Sequence, residues 1–328
     1  MRERPATEFC YHSIMGNQMH RYLNEKRLLG HRSCMSYSRY LCDFDRFLQH
    51  EKHGFEGLSK EIVERWLAKR PHEKPATQSY RRTVIRQFSQ FLFRNEIPTY
   101  IIPYGQWTIT RSDFIARIFT KEEIRNFFNT IDSLPVTGIS PMRHIVTPEI
   151  FRLFYSCGLR KEEALGLKVS NVDLQEGVLT IFDGKFGKDR LVPMAPSMTN
   201  RLKIFSTTIG ARGRDDYFFP APDGGRYHSN PIYVLFRKIL RQIGISHGGR
   251  GHGPRIHDFR HTFAVHKLMQ WHHEGADLNV KLPILAAYMG HRTLKGTQRY
   301  LQLTPELFPE VAERFEKTYG HIIPGRCE

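Results

Sequence analysis

Apolar residues recur at three- and four-residue spacing through most of the first 95 positions, and that period predicts helices rather than strands. Four helices are expected there: about 14–29, about 36–53, one opening behind Ser59, and about 77–95. Tyr40, Leu41, Phe44, Phe47 and Leu48 form the buried stripe of the second. In the third, Ile62, Val63, Trp66 and Leu67 follow Ser59, whose hydroxyl suits an N-cap. Val84, Ile85, Phe88, Phe91 and Leu92 mark the apolar side of the fourth. The period lapses over 97–119, where Pro98, Pro103 and Gly105 interrupt it. Thr120 and Glu123 then have the spacing of a capping box and open a new helix.

Further on, a helix over about 148–157 is expected to stop at Gly158, with another over 161–167 directly behind it. Residues 178–182 and 191–193 read as two short strands joined through a turn that holds Gly184, Lys185, Gly187 and Lys188. Helices return over 231–243, 257–271, 282–289, 294–301 and 305–319. The expected fold class is therefore mainly α with a small β-sheet (α+β). It has a helical N-terminal domain over 1–100, a linker over 101–118, and a second domain over 119–328 that ends in a helix.

Composition narrows the function classes. A chain of 328 residues with 40% hydrophobic and 25% charged residues is an ordinary folded protein, which excludes low-complexity and fully disordered readings. Its charge is less ordinary: 49 Lys and Arg against 33 Asp and Glu give +16, so a polyanion, nucleic acid first, is the expected partner. The excess divides evenly, about +8 on each side of residue 118, so both domains are expected to meet that partner. On the fourth helix Lys74, Arg81, Arg82 and Arg86 occur with no acidic residue among positions 75–93. Solvated faces usually mix signs, so these four are read as phosphate contacts. No apolar run approaches the roughly 20 residues of a membrane span, and the start has no leader-like apolar core, so a cytoplasmic protein with no membrane partner is expected. Five widely spaced cysteines, with no C-x-x-C pair, are expected as free thiols.

The densest polar cluster is His257-Asp258-Phe259-Arg260-His261-Thr262. On a helix His257 and Arg260 share a face, which aims two hydrogen-bond donors for an oxyanion into one site. Alone, such a pair is more often a cap or a surface bridge. His257 and His261 also have the spacing of zinc ligands, with His266, His272 or His273 as further candidates. The glutamate of H-E-x-x-H is missing and an arginine lies one turn away, so neither a metal nor another cofactor is expected.

Three more pieces make the cluster specific. Arg160 enters a helix behind Gly158 and is followed by Glu163; Gly290-His291 precedes Arg299-Tyr300 by nine residues; and Lys185 lies in the hairpin sequence Gly184-Lys185-Phe186-Gly187-Lys188-Asp189-Arg190. With these in order, the sequence over about 120–303 resembles the tyrosine recombinase family, the phage-integrase-like site-specific recombinases. The N-terminal part is similar to that family's helical core-binding domain. Position by position, the resemblance implies Arg160, Lys185, His257, Arg260, His291 and Tyr300 as the catalytic set, with Glu163 supporting Arg160. It departs in having Phe259 where leucine is usual, Gln302 where histidine is frequent, and a longer stretch over 260–291.

The implied reaction is DNA strand cleavage and rejoining through a 3′-phosphotyrosyl intermediate in a homotetrameric synapse on double-stranded DNA, independent of metal and ATP. An accessory DNA-bending protein is a further partner the resemblance admits. Arg160 and Arg260 would meet the charge growing on the nonbridging oxygens, His257 is the candidate base for Tyr300, and Lys185 the candidate acid, with Lys188 as its alternative. Lys188 and Arg190 are otherwise read as backbone-phosphate contacts. Tyr288 is the rival nucleophile, expected in the core. The segment 244–253 is expected as a glycine-rich loop touching DNA. Leu307, Phe308, Val311 and Phe315 mark a last helix that packs on its own domain or docks on a neighbouring protomer. A type IB-like topoisomerase and a non-catalytic DNA-binding regulator of the same fold are the competing readings.

Overall fold

Ser59 caps the third helix as its spacing predicts: its hydroxyl accepts from the Ile62 amide at 3.3 Å. The computed structural model describes residues 10–31, 34–105, 116–182, 189–249, 253–291, 293, 295–298 and 300. The chain divides into two compact units, Met1–Asp113 and Phe114–Glu328.

The first unit holds α1 (Gly16–Leu28), α2 (Cys34–His50), α3 (Lys60–Leu67) and α4 (Pro75–Arg94). Their apolar stripes close on one core in which Tyr22, Phe44, Val63, Trp66, Ile85 and Phe88 are buried. Arg81 departs from the basic face read from the sequence. Positions 81, 84, 85 and 88 share one side of a helix, so Arg81 lies on the apolar stripe and is 1% exposed. Its guanidinium binds both carboxylate oxygens of Glu73 at 2.8 Å and donates to the carbonyls of Trp66 and Ala68. It is thus a clamp that ties the end of α3 to α4, and its donors are directed into the protein.

The second unit opens with α5 (Lys121–Asp132), and its capping box is formed: Thr120 Oγ1 accepts from the Glu123 amide at 3.1 Å, and Glu123 accepts from the Thr120 amide at 2.9 Å. Next come α6 (Arg143–Ser156) and α7 (Lys161–Leu165). The first of these begins earlier than expected, with Pro148 inside it rather than at its start. A sheet follows, β1 (Val172–Asp173), β2 (Val178–Ile181) and β3 (Arg190–Pro193), antiparallel in the order β1-β2-β3. In the hairpin Ile181 pairs with Arg190 and Val178 with Pro193. Strand β1 is too short to carry a period and was not expected. Neither was α8 (Pro196–Ile209), which has Pro196 in its first turn and buries Met198, Leu202 and Phe205. The chain continues with α9 (Ser229–Gln242), α10 (His257–His273), α11 (Leu278–Met289) and the short α12 (Lys295–Gln298).

Phe259, the residue that replaces the usual leucine, is fully buried on α10. Its ring lies 4.9 Å from Phe127, 5.3 Å from Phe119 and 5.8 Å from Phe236. With Phe151 of α6 at 6.0 Å, an aromatic cluster from α5, α6, α9 and Phe119 just ahead of α5 holds the turn of α10 that carries His257 and Arg260. Farther along the same helix, Ala264, Val265 and Leu268 pack with Leu282, Leu285 and Met289 of α11. The hairpin tip with Lys185 and Lys188, most of the expected linker, residues 250–252 of the glycine-rich loop and the expected helix over 305–319 lie outside the described residues.

Candidate active site

Gly158 makes the entrance. It follows the last turn of α6 with φ +58°, and a Cβ there would lie 2.6 Å from the Phe263 ring, so neither the backbone angle nor the space admits a side chain. This tight exit buries Leu159 and brings Arg160 directly to the start of α7. Glu163, on the first turn of that helix, accepts from the Arg160 amide at 2.9 Å and from its Nη1 at 2.6 Å. The Arg160 Nη2 donates to the Gly290 carbonyl at 2.8 Å, across 130 residues of sequence.

Arg260 projects from α10 into the same place and is 1% exposed. Its guanidinium donates to the Gly158 carbonyl at 2.5 Å and to the Met289 carbonyl. Among the described residues no carboxylate forms an ion pair with it. Burial, and then the neighbouring Arg160, pull its pKa down to about 10, still cationic at neutral pH. His291 follows the left-handed Gly290 that ends α11. Its Nδ1 pairs with Thr297 Oγ1 at 2.8 Å. Burial first, then Arg260 and Arg160, hold its pKa down at about 4, so the imidazole is neutral near pH 7.

Tyr300 is 3% exposed and packs on the apolar seam between α10 and α11. Its ring lies 5.9 Å from that of His291 and 5.5 Å from that of His261. His261 in turn stands 4.7 Å from His257, which is exposed at the start of α10. Tyr300 and Arg260 also feel each other electrostatically. Arg160, Glu163, His257, Arg260, His291 and Tyr300 therefore occupy one site. What converges is a pair of guanidiniums, two imidazoles and a phenol, a donor set suited to a tetrahedral oxyanion. Among the described residues no three His, Cys, Asp or Glu side chains gather as metal ligands.

The remaining sequence-predicted positions fall elsewhere. Lys74 is exposed at the N-cap of α4, and Arg82 and Arg86 are half-buried on that helix in the first unit. Arg190, read from the sequence as a backbone-phosphate contact, is turned inward instead: Nη1 and Nη2 fork onto Glu163 at 3.0 and 2.7 Å, and Nε donates to the Tyr288 carbonyl at 3.0 Å. Burial alone would push the Glu163 carboxyl up, but the Arg190 fork and the Arg160 contacts outweigh it and hold the pKa at about 2. Tyr288, the rival nucleophile, donates its hydroxyl to the Pro193 carbonyl at 3.0 Å and stacks on Phe263 at 5.7 Å. Burial raises its pKa further, as does Cys157. Two residues at the site carried no role in the sequence reading, Thr297 and, beyond its spacing to His257, His261. Thr297 lies six residues after His291, a separation that matches neither the helical nor the strand period.

Comparison with known proteins identifies the family and the fold. The phage integrase family matches residues 117–306, and the SAM-like N-terminal domain of phage integrases matches 17–96. A Sinorhizobium fredii chain that carries the name integrase/recombinase y4rB is 31% identical over 306 residues, covering 91% of this chain and 96% of its own. The tyrosine recombinase XerC of Staphylococcus carnosus is 25% identical, covering 88% and 92%. In fold, the chain is similar to the XerH site-specific recombinase bound to palindromic difH substrate, with a TM-score of 0.65 at 19% identity, covering 92% of this chain and 84% of that one. It is also similar to the Tn1549 transposon integrase in complex with transposon right end DNA, with a TM-score of 0.61 at 14% identity, covering 92% and 98%. With more than half of its length matched, the chain belongs to the phage integrase family, the tyrosine recombinases.

Proposed function

We propose that this protein is a site-specific DNA recombinase that cuts and rejoins strands through a 3′-phosphotyrosyl intermediate. One observation carries the reading: Arg160, Arg260, His291 and Tyr300 meet in one place where Glu163 pairs with Arg160 while Arg260, buried beside Arg160, ends on two backbone carbonyls and has no carboxylate of its own among the described residues. A site that concentrates positive charge in this way is complete only with an anion. A scissile phosphate supplies one.

Arg160 and Arg260 bind the nonbridging oxygens and stabilise the charge that grows there during attack. His291, neutral in the free protein, gains affinity for a proton when that anion offsets the surrounding guanidiniums, and then donates to a nonbridging oxygen. The Tyr300 oxygen attacks phosphorus as its proton passes to His257. The bond from phosphorus to the 5′ oxygen breaks, and Lys185 protonates the leaving oxygen. Attack by a 5′ hydroxyl of a second strand reverses the steps, so bond energy is conserved without ATP. Two fixed cations on the phosphate serve the role a divalent metal would otherwise fill.

The domain over 1–100, joined through 101–118 to the catalytic domain over 119–328, meets the duplex backbone through Lys74, Arg82 and Arg86, and Lys188 does so from the hairpin. Binding should accordingly weaken steeply with salt. Pairing of sites takes place in a tetramer. No helix among the described residues is long and apolar enough to cross a membrane.

A nicked suicide duplex tests the reading, using DNA that the protein selects from a random-sequence pool. The unmodified chain should leave a protein-linked band on a denaturing gel with EDTA present. Tyr300→Phe should bind the duplex and leave none. A covalent band from Tyr300→Phe removes Tyr300 as the nucleophile, and joining of two separate sites by the unmodified chain distinguishes a recombinase from a topoisomerase.

A further inference from the structure

Arg190 connects three elements of the catalytic unit. It begins β3, at the foot of the hairpin that carries Lys185. Its guanidinium forks onto both oxygens of Glu163, and Glu163 Oε1 also accepts from Arg160 Nη1. Its Nε holds the carbonyl of Tyr288 at the end of α11. The same side chain lies against the turn that presents His291: a Cβ on Gly290, at φ +66°, would stand 3.0 Å from Arg190 Cδ and 3.1 Å from Nη1. Arg160 Nη2 closes the circuit on the Gly290 carbonyl.

The charges matter as much as the contacts. An isolated Arg160–Glu163 pair sums to zero, and a neutral pair offers a phosphate only dipoles. With Arg190 the trio carries one positive charge, because one carboxylate is shared between two guanidiniums. Glu163 closes on Arg160 at 2.6 Å, yet the Arg190 fork engages the same two oxygens at 3.0 and 2.7 Å, so one negative charge is divided between two guanidiniums.

We propose that Arg190 is a positioning residue for DNA cleavage: by forking onto Glu163 it leaves the Arg160–Glu163 cluster net positive toward the scissile phosphate and fixes the hairpin foot against the Gly290-His291 turn. This rests on the recombinase reading above. Arg190 touches no reacting atom; it acts through Glu163, Arg160 and the backbone at the end of α11.

The test uses the full chain and the nicked suicide duplexes described above, reading duplex affinity and single-turnover adduct formation at saturating DNA separately. Arg190→Met should bind with unchanged Kd and form the adduct about 100-fold more slowly, as expected when a supporting group leaves its ligand misplaced. Arg190→Lys keeps the charge without the fork and should be about 10-fold slow. Adding Glu163→Gln to Arg190→Met should recover about 10-fold, because the unopposed carboxylate no longer neutralises Arg160. A role in folding alone would not produce that recovery. An adduct rate in Arg190→Met equal to that of the unmodified chain, a double variant no faster than the single one, or a defect wholly in Kd overturns the proposal. If circular dichroism shows Arg190→Met unfolded, Arg190→Lys decides, and an unchanged rate in it overturns the proposal. No adduct from the unmodified chain on any selected duplex overturns the recombinase reading itself, and this inference with it.

Discussion

Arg81 of the first unit and Arg260 of the second are equally buried, yet their surroundings give them different work. Arg81 lies between both oxygens of Glu73 and the carbonyls at the end of α3, so its charge is neutralised where it sits. Arg260 ends on two backbone carbonyls, with Arg160 near enough to disfavour its charged form. Burying a cation costs several kcal/mol unless an anion accompanies it. The first unit supplies that anion from its own sequence and obtains a clamp. The second leaves the place open, and the open place is what makes it a site. Burial of an arginine is therefore uninformative about function until its counterion has been found.

The comparison can be broken most directly at Arg81. Arg81→Ala strands the Glu73 carboxylate and should destabilise the first unit by about 3–5 kcal/mol, measured by denaturant unfolding or by hydrogen exchange in α3 and α4. At temperatures where that variant remains folded, its adduct rate should match the unmodified chain; a chemical defect there would mean that the two arginines are not as different as their partners suggest. Arg260→Ala should do the reverse. It should cut adduct formation by about 10²–10³-fold, the usual loss for one oxyanion donor, while the melting temperature changes little, because removal of a buried charge offsets the two carbonyls left without its donors.

Acid sharpens the contrast within the second unit. The folded pKa of His291 is about 4 against an ordinary 6.5, so the unfolded chain binds more protons between those values and stability falls as pH drops from 6.5 toward 4. The full effect is about 3 kcal/mol, and His291→Gln should flatten that part of the pH profile. Glu163 acts in a lower window: its pKa of about 2 against 4.5 gives stability that is present above pH 4.5 and lost on the way to pH 2. The smallest effect should come from inorganic phosphate. At about ten times its Kd it should stabilise the second unit by about 1.4 kcal/mol, leave the first unit unchanged, and lose its effect in Arg260→Ala. Equal stabilisation of both units would show non-specific binding to a basic protein.

Much of the fold was legible because it is local. Ser59, Thr120 with Glu123, and Gly158 act within a few residues of their own positions, and the structure places each as a cap or stop. Helix α8 escaped because Met198, Leu202 and Phe205 are its only buried large apolar residues, too thin a stripe to stand out beside Thr199 and Thr207. At the site, the family resemblance implied Arg160, His257, Arg260, His291 and Tyr300, which the structure gathers. The same reading took Arg81 and Arg190 for DNA contacts, since a sequence displays a positive charge but not the carboxylate that meets it.

The sequence by itself determined most of the helices and their caps, because period and capping are properties of neighbouring residues, and its resemblance to a family supplied the candidate side chains for a phosphate. Tertiary structure alone decided which cations remain available to a ligand. Arg190 meets Glu163 across 27 positions, Arg260 meets Gly158 across 102, and Arg160 meets Gly290 across 130. Whether a guanidinium is neutralised or left waiting depends on such distant partners, and only the packed chain brings them within the few ångströms over which charge is matched.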